Sequence, residues 1–539
     1  MIEYERIKTD VAVIGGGLTG TLAAYELAKS GANVIIVRDG RGASPHVAGF
    51  NVAGAEAEDS VEIYIKDSLE SAVNQADIKL IEILCNESAR LPEYLETLGF
   101  AFDTNEKGNL KARKSLGSSF SRVVGRGNSS GADILSILDK DLKQRENVQI
   151  LEHSRAVHLF KNGNQIAGVL IFDKQTERFI VIESSKVLLA SGGYAGIFPF
   201  TSNSKDISGD TIAMALKVGA GATDMEFVQF EPSCAVWPES IKGKGMITTL
   251  FYEGAVMTNA LGERFMLKYS PDGERVNKDV LARAIAKELR EGRGTERGGV
   301  WFDNRGVDPE RMLSAYAPFV KRYENVGIDL LTTPVEVANA AHTSLGGVKV
   351  NRNCETDVKG LYAAGEAIGN LHGANRIGGS AGTETLVFGK HVAEVIKNDI
   401  RPTTVEVNSD EIEKLFEQTS TKISVDRLNE IRNQASDLLG KHLGVEREEN
   451  GLKIAVCELE KLYREVYESS AEVDSKAVFE KIGLENMLIT AVALAKSALL
   501  RGDSVGSHLR IDNPSLPKTV YRTDVHIVGN DVAVTKIHK

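Results

Sequence analysis

Gly15, Gly17 and Gly20 stand at the spacing of a phosphate-cradling turn, directly after the apolar run Val11 to Ile14. Each glycine has its own task in such a turn. Gly15 permits the sharp reversal, Gly17 lets a pyrophosphate approach the backbone, and Gly20 allows helix and strand to pack closely. Helical periodicity over 21–30 places a helix N-terminus at the turn, where its partial positive charge faces the phosphates. A second apolar run, Ala32 to Val37, completes the strand–turn–helix–strand opening of a dinucleotide-binding fold. The acid that grips the ribose is expected at the end of that strand. Arg38 fills the slot, so either its neighbour Asp39 takes the role in a shifted register or the ribose contact is altered.

The rest of the chain must supply a sheet to hold this turn. Helical patterns over 60–100 and 130–145 precede strand-like pieces at 149–152, 166–172 and 178–182 and a buried run at 187–191. From 235 to 335 the texture shifts to short mixed elements with a charged stretch at 274–297, which reads as an inserted domain. Strand-and-glycine texture returns at 360–365, and Pro402 marks a linker. Periodic helices then fill 409–500, and a hairpin around Gly529-Asn530 closes the chain. The expected fold class is α/β. A discontinuous Rossmann-like domain (1–234 and 339–402) carries an inserted α+β cap (235–338), a helical C-terminal domain (405–512) and a β tail (513–539).

Bulk properties remove several functions. At 539 residues the chain exceeds one compact core. Its net charge of -11 disfavours nucleic acid as a partner. No apolar run approaches the roughly 20 residues that span a bilayer, and the acidic N-terminal residues Glu3 and Glu5 do not resemble a signal peptide. Cys85, Cys234, Cys354 and Cys457 are scattered without a C-x-x-C pair, which fits a reducing cytoplasm. Iron–sulfur centres, if they take part, belong to a partner.

The run Asp224-Met225-Glu226-Phe227-Val228-Gln229-Phe230-Glu231-Pro232-Ser233 resembles the D-M-E-F-x-Q-F-H-P-T signature of the fumarate reductase/succinate dehydrogenase flavoprotein family. Three further segments resemble that family in order. Ala190-Ser191-Gly192-Gly193 is similar to its A-T-G-G, Ser208-Gly209-Asp210 to its T-G-D, and Gly360 to Glu366 to its G-L-Y-A-A-G-E. The resemblance implies FAD, with Ser191, Gly192 and Asp210 near its adenosine half and Glu366 near its ribityl and pyrophosphate region. Ala48 and Gly49 stand in the segment that follows a flavin-bearing histidine in some members, and Gly378 is assigned to the cofactor as well. The attachment position falls on Ser44, so the expected FAD is non-covalent.

The same resemblance implies hydride transfer from flavin to one alkene carbon while an arginine protonates its neighbour. Asp279 to Ile285 is similar to the family's R-D-V-V-S-R-A-I, which nominates Arg283 as the acid. His342 opens a run similar to H-Y-T-M-G-G, and Arg376 lies in one similar to G-A-N-R-L-G-G; both imply grips on a substrate carboxylate. The opposite half-site departs from the pattern. Glu231 replaces a carboxylate-binding histidine, and Ile247, Thr248 and Phe251 replace a threonine ligand and an acid–arginine proton relay. Glu231 is expected either to receive a cationic or hydroxyl group of the substrate, or to be solvated or paired with a neighbour such as Lys242 or Lys244. Val505 replaces an arginine in a late R-x-E-S-R-G-A-H-x-R-like run, Arg501 to Arg510.

These features imply a FAD-dependent oxidoreductase acting on a C–C bond next to a carboxylate or carbonyl. Its small-molecule substrate carries at least one anionic group and is not a simple C4-dicarboxylate. Two alternatives follow from the same resemblance: an amino-acid or amine oxidase related to L-aspartate oxidase, and an electron-transferring component of an iron–sulfur complex. An iron–sulfur or other carrier protein is the implied partner, and self-association is compatible with the sequence.

Overall fold

The structure, a computed structural model, describes residues 2–400, 404–417, 422–471, 474–515 and 519–538. The linker expected at Pro402 lies outside the described residues.

A five-stranded parallel sheet holds the glycine turn. Its order is Leu361–Ala363, Val187–Leu189, Val11–Ile14, Val34–Val37, Val148–Leu151. Strands such as Val11–Ile14 and Val34–Val37 are buried at every residue, because helices cover both faces of such a sheet. The late strand Leu361–Ala363 pairs with Val187–Leu189, so the chain does re-enter its first domain. The helices Leu18–Lys29 and Ser380–Lys397 pack against each other beside the turn.

A second sheet runs Tyr4–Lys8, Arg178–Glu183, Gln165–Asp173, Ser154–Asn162. Two of these strands escape the sequence pattern. Tyr4–Lys8 is mostly charged, and Ser154–Asn162 follows the preceding strand closely, after His153 at φ +53°.

The inserted domain is built on an antiparallel sheet of Val228–Ala235, Val335–Ser344, Val300–Asp303 and Val256–Thr258. The borders expected at 235 and 338 fall inside its two longest strands, which carry the chain out of the first domain and back. The helix Lys278–Arg290 packs on Val228–Ala235. Between Phe230–Ala341 and Gln229–Thr343 the register slips by one, leaving His342 as the extra residue of a bulge. Bulges of this kind re-aim a side chain.

Helices Val425–His442, Glu449–Tyr467 and Ser475–Leu500 form most of the C-terminal domain, and the hairpin Tyr521–Val528/Asp531–His538 extends a small sheet with Ala222–Thr223 and Gly347–Val348. Ser475–Leu500 is the exception to the absence of long apolar runs. Its length and apolar composition would suffice to cross a membrane, but 83% of its most apolar 18-residue window is buried inside the protein. It is packed by Glu449–Tyr467, Asp210–Lys217 and the C-terminal hairpin, as a core helix is.

Candidate active site

An open cleft lies over the glycine turn, lined by Gly15 to Gly17, Asp39, Ser191, Gly192, Asp210 and Glu366 among others. Gly15 sits at φ +126°, and a Cβ there would fall 2.2 Å from the Ala190 carbonyl oxygen. Gly20 packs behind the cleft, where a Cβ would fall 2.2 Å from the Gly15 carbonyl oxygen. The helix beginning at Leu18 has no side-chain cap at Gly17, and its first N–H is engaged by the Ser44 hydroxyl at 2.9 Å. Backbone that close, with a helix N-terminus turned to the cleft, fits a dinucleotide pyrophosphate.

The ribose side is rebuilt. Arg38 is buried and turns inward onto Asp139 and Glu152. Asp39 reaches the cleft but is held by Lys174 and lies 4.0 Å from Arg155. Arg155 also holds Asp210 through Oδ2, while Asp210 Oδ1 is buried with no partner among the described residues. That orphaned acceptor fits a hydroxyl or amine donor from the adenosine half of a dinucleotide. Glu366 accepts from the Ser344 N–H at 3.0 Å, and burial pushes its carboxyl up to about 7.

Ala48, Gly49 and Gly378 are held by close backbone contacts. The Ala48 carbonyl accepts from Ser130 at 2.9 Å, and a Cβ on Gly49 would strike the Val124 carbonyl at 2.5 Å. The Gly378 carbonyl accepts from Asn51 and Ser115, both at 2.9 Å. Their backbone positions hold the walls of the cleft together. Ser44, at the attachment position, caps the glycine-turn helix.

Beyond Glu366 the structure brings Arg376, His342 and Glu231 together. Arg376 is buried; its Nη2 donates to Gln229 Oε1 at 2.9 Å, and its Nε has no partner among the described residues. Gln229 also donates to Asn375 Oδ1 and to the Arg376 carbonyl, which fixes the loop. His342 Nδ1 lies 2.8 Å from the Ser202 hydroxyl. Burial, reinforced by Lys278 and Arg376, pushes His342 down to about 3. It is therefore a neutral imidazole at ordinary pH.

Glu231 is 6% exposed and forms an ion pair with Lys278, while Ser233 Oγ donates to its Oε1 at 2.9 Å. Burial raises its carboxyl pKa, but the Lys278 ammonium, helped by the Ser233 hydroxyl, outweighs that and holds it below the usual range, as a carboxylate. The expected partners Lys242 and Lys244 do not fill this place: Lys242 pairs with Glu239 at 3.2 Å.

Arg283 is not brought into the cluster. It donates to the Gly506 carbonyl, lies 3.6 Å from Asp279, and lines a small void with Gln229, Phe230 and Ser507. Five helical residues rotate a side chain by about 140°, so Lys278 and Arg283 leave the helix on different faces. Lys278, the partner of Glu231, is the residue of this cluster that sequence reasoning missed. The signal was present: the segment R-D-V-V-S-R-A-I opens with an arginine immediately before its aspartate, and that position is Lys278. Phe251, at a position where the resemblance places a relay arginine, stacks on Phe302 at 4.8 Å between centroids.

The helical domain braces this arrangement from below. Glu226 takes an ion pair from Arg501 and a hydrogen bond from Thr523 Oγ1 at 2.6 Å. Arg447 donates to the Glu226 carbonyl and to His508 Nδ1, both at 2.7 Å. Val505, in the arginine position of the late run, is buried in an apolar cluster with Phe227, Leu345 and Ala374.

Comparison with known proteins identifies the family and the fold. The family described as "FAD binding domain" matches residues 10–381, and "Fumarate reductase flavoprotein C-term" matches 432–538. The chain is 32% identical to one of the subunits of the fumarate reductase (CoM/CoB) of Methanothermobacter marburgensis, over 95% of this chain and 96% of that protein. It is 30% identical to L-aspartate oxidase of Saccharolobus solfataricus, over 94% and 96% respectively. The fold is that of FrdA from E. coli quinol fumarate reductase, with a TM-score of 0.89, 22% identity, and coverage of 99% of this chain and 97% of that one.

Proposed function

Because the chain belongs to the fumarate reductase/succinate dehydrogenase flavoprotein family and is a FAD-dependent oxidoreductase, we propose that it reduces or forms a C–C double bond next to a carboxylate or carbonyl. Bound FAD supplies hydride chemistry; the protein's own groups do the rest. Arg376 presents a buried guanidinium with one N–H still unpartnered among the described residues, suited to clamp a carboxylate. When Ser202 donates to His342 Nδ1, Nε2 carries the proton and becomes the second donor to that carboxylate. Lys278 is the proton donor to the neighbouring carbon in the reductive direction. The observation that carries this assignment is its ammonium, which touches Glu231 and acts on His342, while Arg283 is turned onto Gly506.

The amino-acid oxidase reading needs Glu231 to accept a substrate ammonium. Lys278 already occupies that carboxylate, which favours the C–C reading. The substrate carries at least one anionic group and is not a simple C4-dicarboxylate, because Glu231 stands where a second anion would bind. Non-covalent FAD, a cytoplasmic location and an iron–sulfur or other carrier protein as electron partner complete the proposal. The Methanothermobacter relative is itself one component of a multi-subunit enzyme by name, which supports such a partner.

The test is anaerobic: reduce the purified holoprotein, then screen enoates and imino acids for flavin reoxidation. Mono- and dicarboxylate enoates are expected to differ, with an enoate the best oxidant. Reoxidation by an imino acid alone would favour the oxidase. Reoxidation by a redox protein and by no small molecule would overturn both. On the enoate found, Lys278→Met is expected to slow reoxidation by about 10²-fold or more, the usual range for a lost general acid.

A further inference from the structure

Lys278 must regain a proton after every reductive turnover, yet the relay positions Thr248 and Phe251 offer no acid–arginine pair. Three observations meet at Glu231. Its carboxylate touches the Lys278 ammonium directly. It is nearly buried, but the backbone above it is the partly exposed Gly245, flanked by exposed Lys244. A Cβ on Gly245 would meet nothing within 4 Å except Glu231 Cγ at 3.8 Å, so the missing side chain leaves an opening directly over Glu231.

We propose that Glu231 is the proton-supplying partner of Lys278: solvent protons reach its carboxylate through the opening at Gly245, and Glu231 returns one to the Lys278 amine after each turnover. The inference rests on the reading of Lys278 as proton donor. The balance is simple. Lys278 gives a proton to the substrate carbon and becomes a neutral amine. Glu231 then loses the cation that stabilised its charge, and in its buried site it takes a proton from water. Transfer of that proton to the amine restores the ion pair, for a net uptake of one solvent proton by the product. One residue thus takes the place of both the missing histidine and the missing relay. The other charged or titratable groups facing Glu231 are His342 from the opposite strand, Arg376 from its loop, and Cys234 on its own strand. His342 stays neutral and Cys234 stays a thiol at ordinary pH, so neither competes for the role.

Glu231→Gln keeps the shape and a contact to Lys278 but cannot shuttle. On the prereduced holoenzyme its first turnover is expected to stay within about threefold of the parent, because Lys278 starts charged. Steady-state turnover with a reduced viologen dye as electron donor is expected to fall by about 10²-fold. It should also rise with the concentration of a small carboxylic acid buffer. Affinity for the saturated product, measured by calorimetry, should change by only a few fold. Gly245→Val, outside the catalytic groups, should slow steady-state turnover several fold and spare the first turnover. Equal slowing of first and later turnovers would make Glu231 a positioning residue and overturn the proposal. So would an unchanged steady state. If Lys278→Met itself turns over normally, the reading beneath the proposal fails instead.

Discussion

The two halves of the substrate site share a scaffold and differ in how their charge is held. Arg376 and His342 sit on backbone fixed from several sides: Gln229 buttresses the arginine loop, and the bulge between Ala341 and Thr343 aims the histidine. Opposite them, Glu231 and Lys278 face each other from a strand and a helix that pack together. The first half leaves a guanidinium N–H for a ligand. The second neutralises itself. The contrast teaches that the strand pair, bulge and helix are retained as a frame, while side chains at fixed stations on it set what charge the site will accept.

The largest effect should come from attacking the retained half. Arg376→Gln is expected to lower kcat/KM for the enoate by roughly 10²–10³-fold, since truncating one partner of a buried charge contact costs about 2–5 kcal/mol. A loss under tenfold would mean that the anion sits elsewhere and that the two halves are not divided as described.

His342 sharpens the same division at smaller magnitude. Protonation would add a charge that strengthens carboxylate binding, but its pKa of about 3 postpones that gain to strongly acidic solution. Ligand affinity should therefore show no rise assignable to His342 as pH falls from about 8 to 5. His342→Phe, which removes the donor, should weaken binding by about tenfold and leave the shape of that profile unchanged, in keeping with the loss of about one hydrogen bond. A profile flattened by the substitution would show that His342 titrates in this window after all.

The division was only half legible in the sequence. The glycine turn and its parallel strands declare themselves because their requirement is on the backbone: close approach needs glycine, and a doubly covered sheet needs continuous apolar runs such as Val11–Ile14. His342 and Arg376 could be placed because their neighbours repeat a known pattern. Lys278 was hidden by letter matching. An arginine five residues on kept the expected residue type, whereas the chemistry depends on helix face. Glu231's partner was hidden by distance, since Lys278 lies 47 positions away and Lys242 and Lys244 are nearer along the chain. Asp39 was legible as lining the cleft, but not the cations Lys174 and Arg155 that already hold it.

The smallest catalytic effect is expected at Arg283, where activity and stability should separate. Its guanidinium bridges the cap helix to the Gly506 carbonyl and shields the buried Asp279. Burial raises the Asp279 carboxyl pKa, with Arg283 opposing that rise. Arg283→Ala should change kcat by no more than about threefold, yet cost roughly 1–3 kcal/mol of stability by leaving Asp279 without its cation. If that is the cause, Asp279→Asn in the Arg283→Ala background should recover part of the loss, because removing both charges spares the uncompensated one. Thermal unfolding of the two single variants and the double variant reads this directly. A large fall in kcat for Arg283→Ala at full stability would instead return Arg283 to the chemistry and take Lys278 out of it.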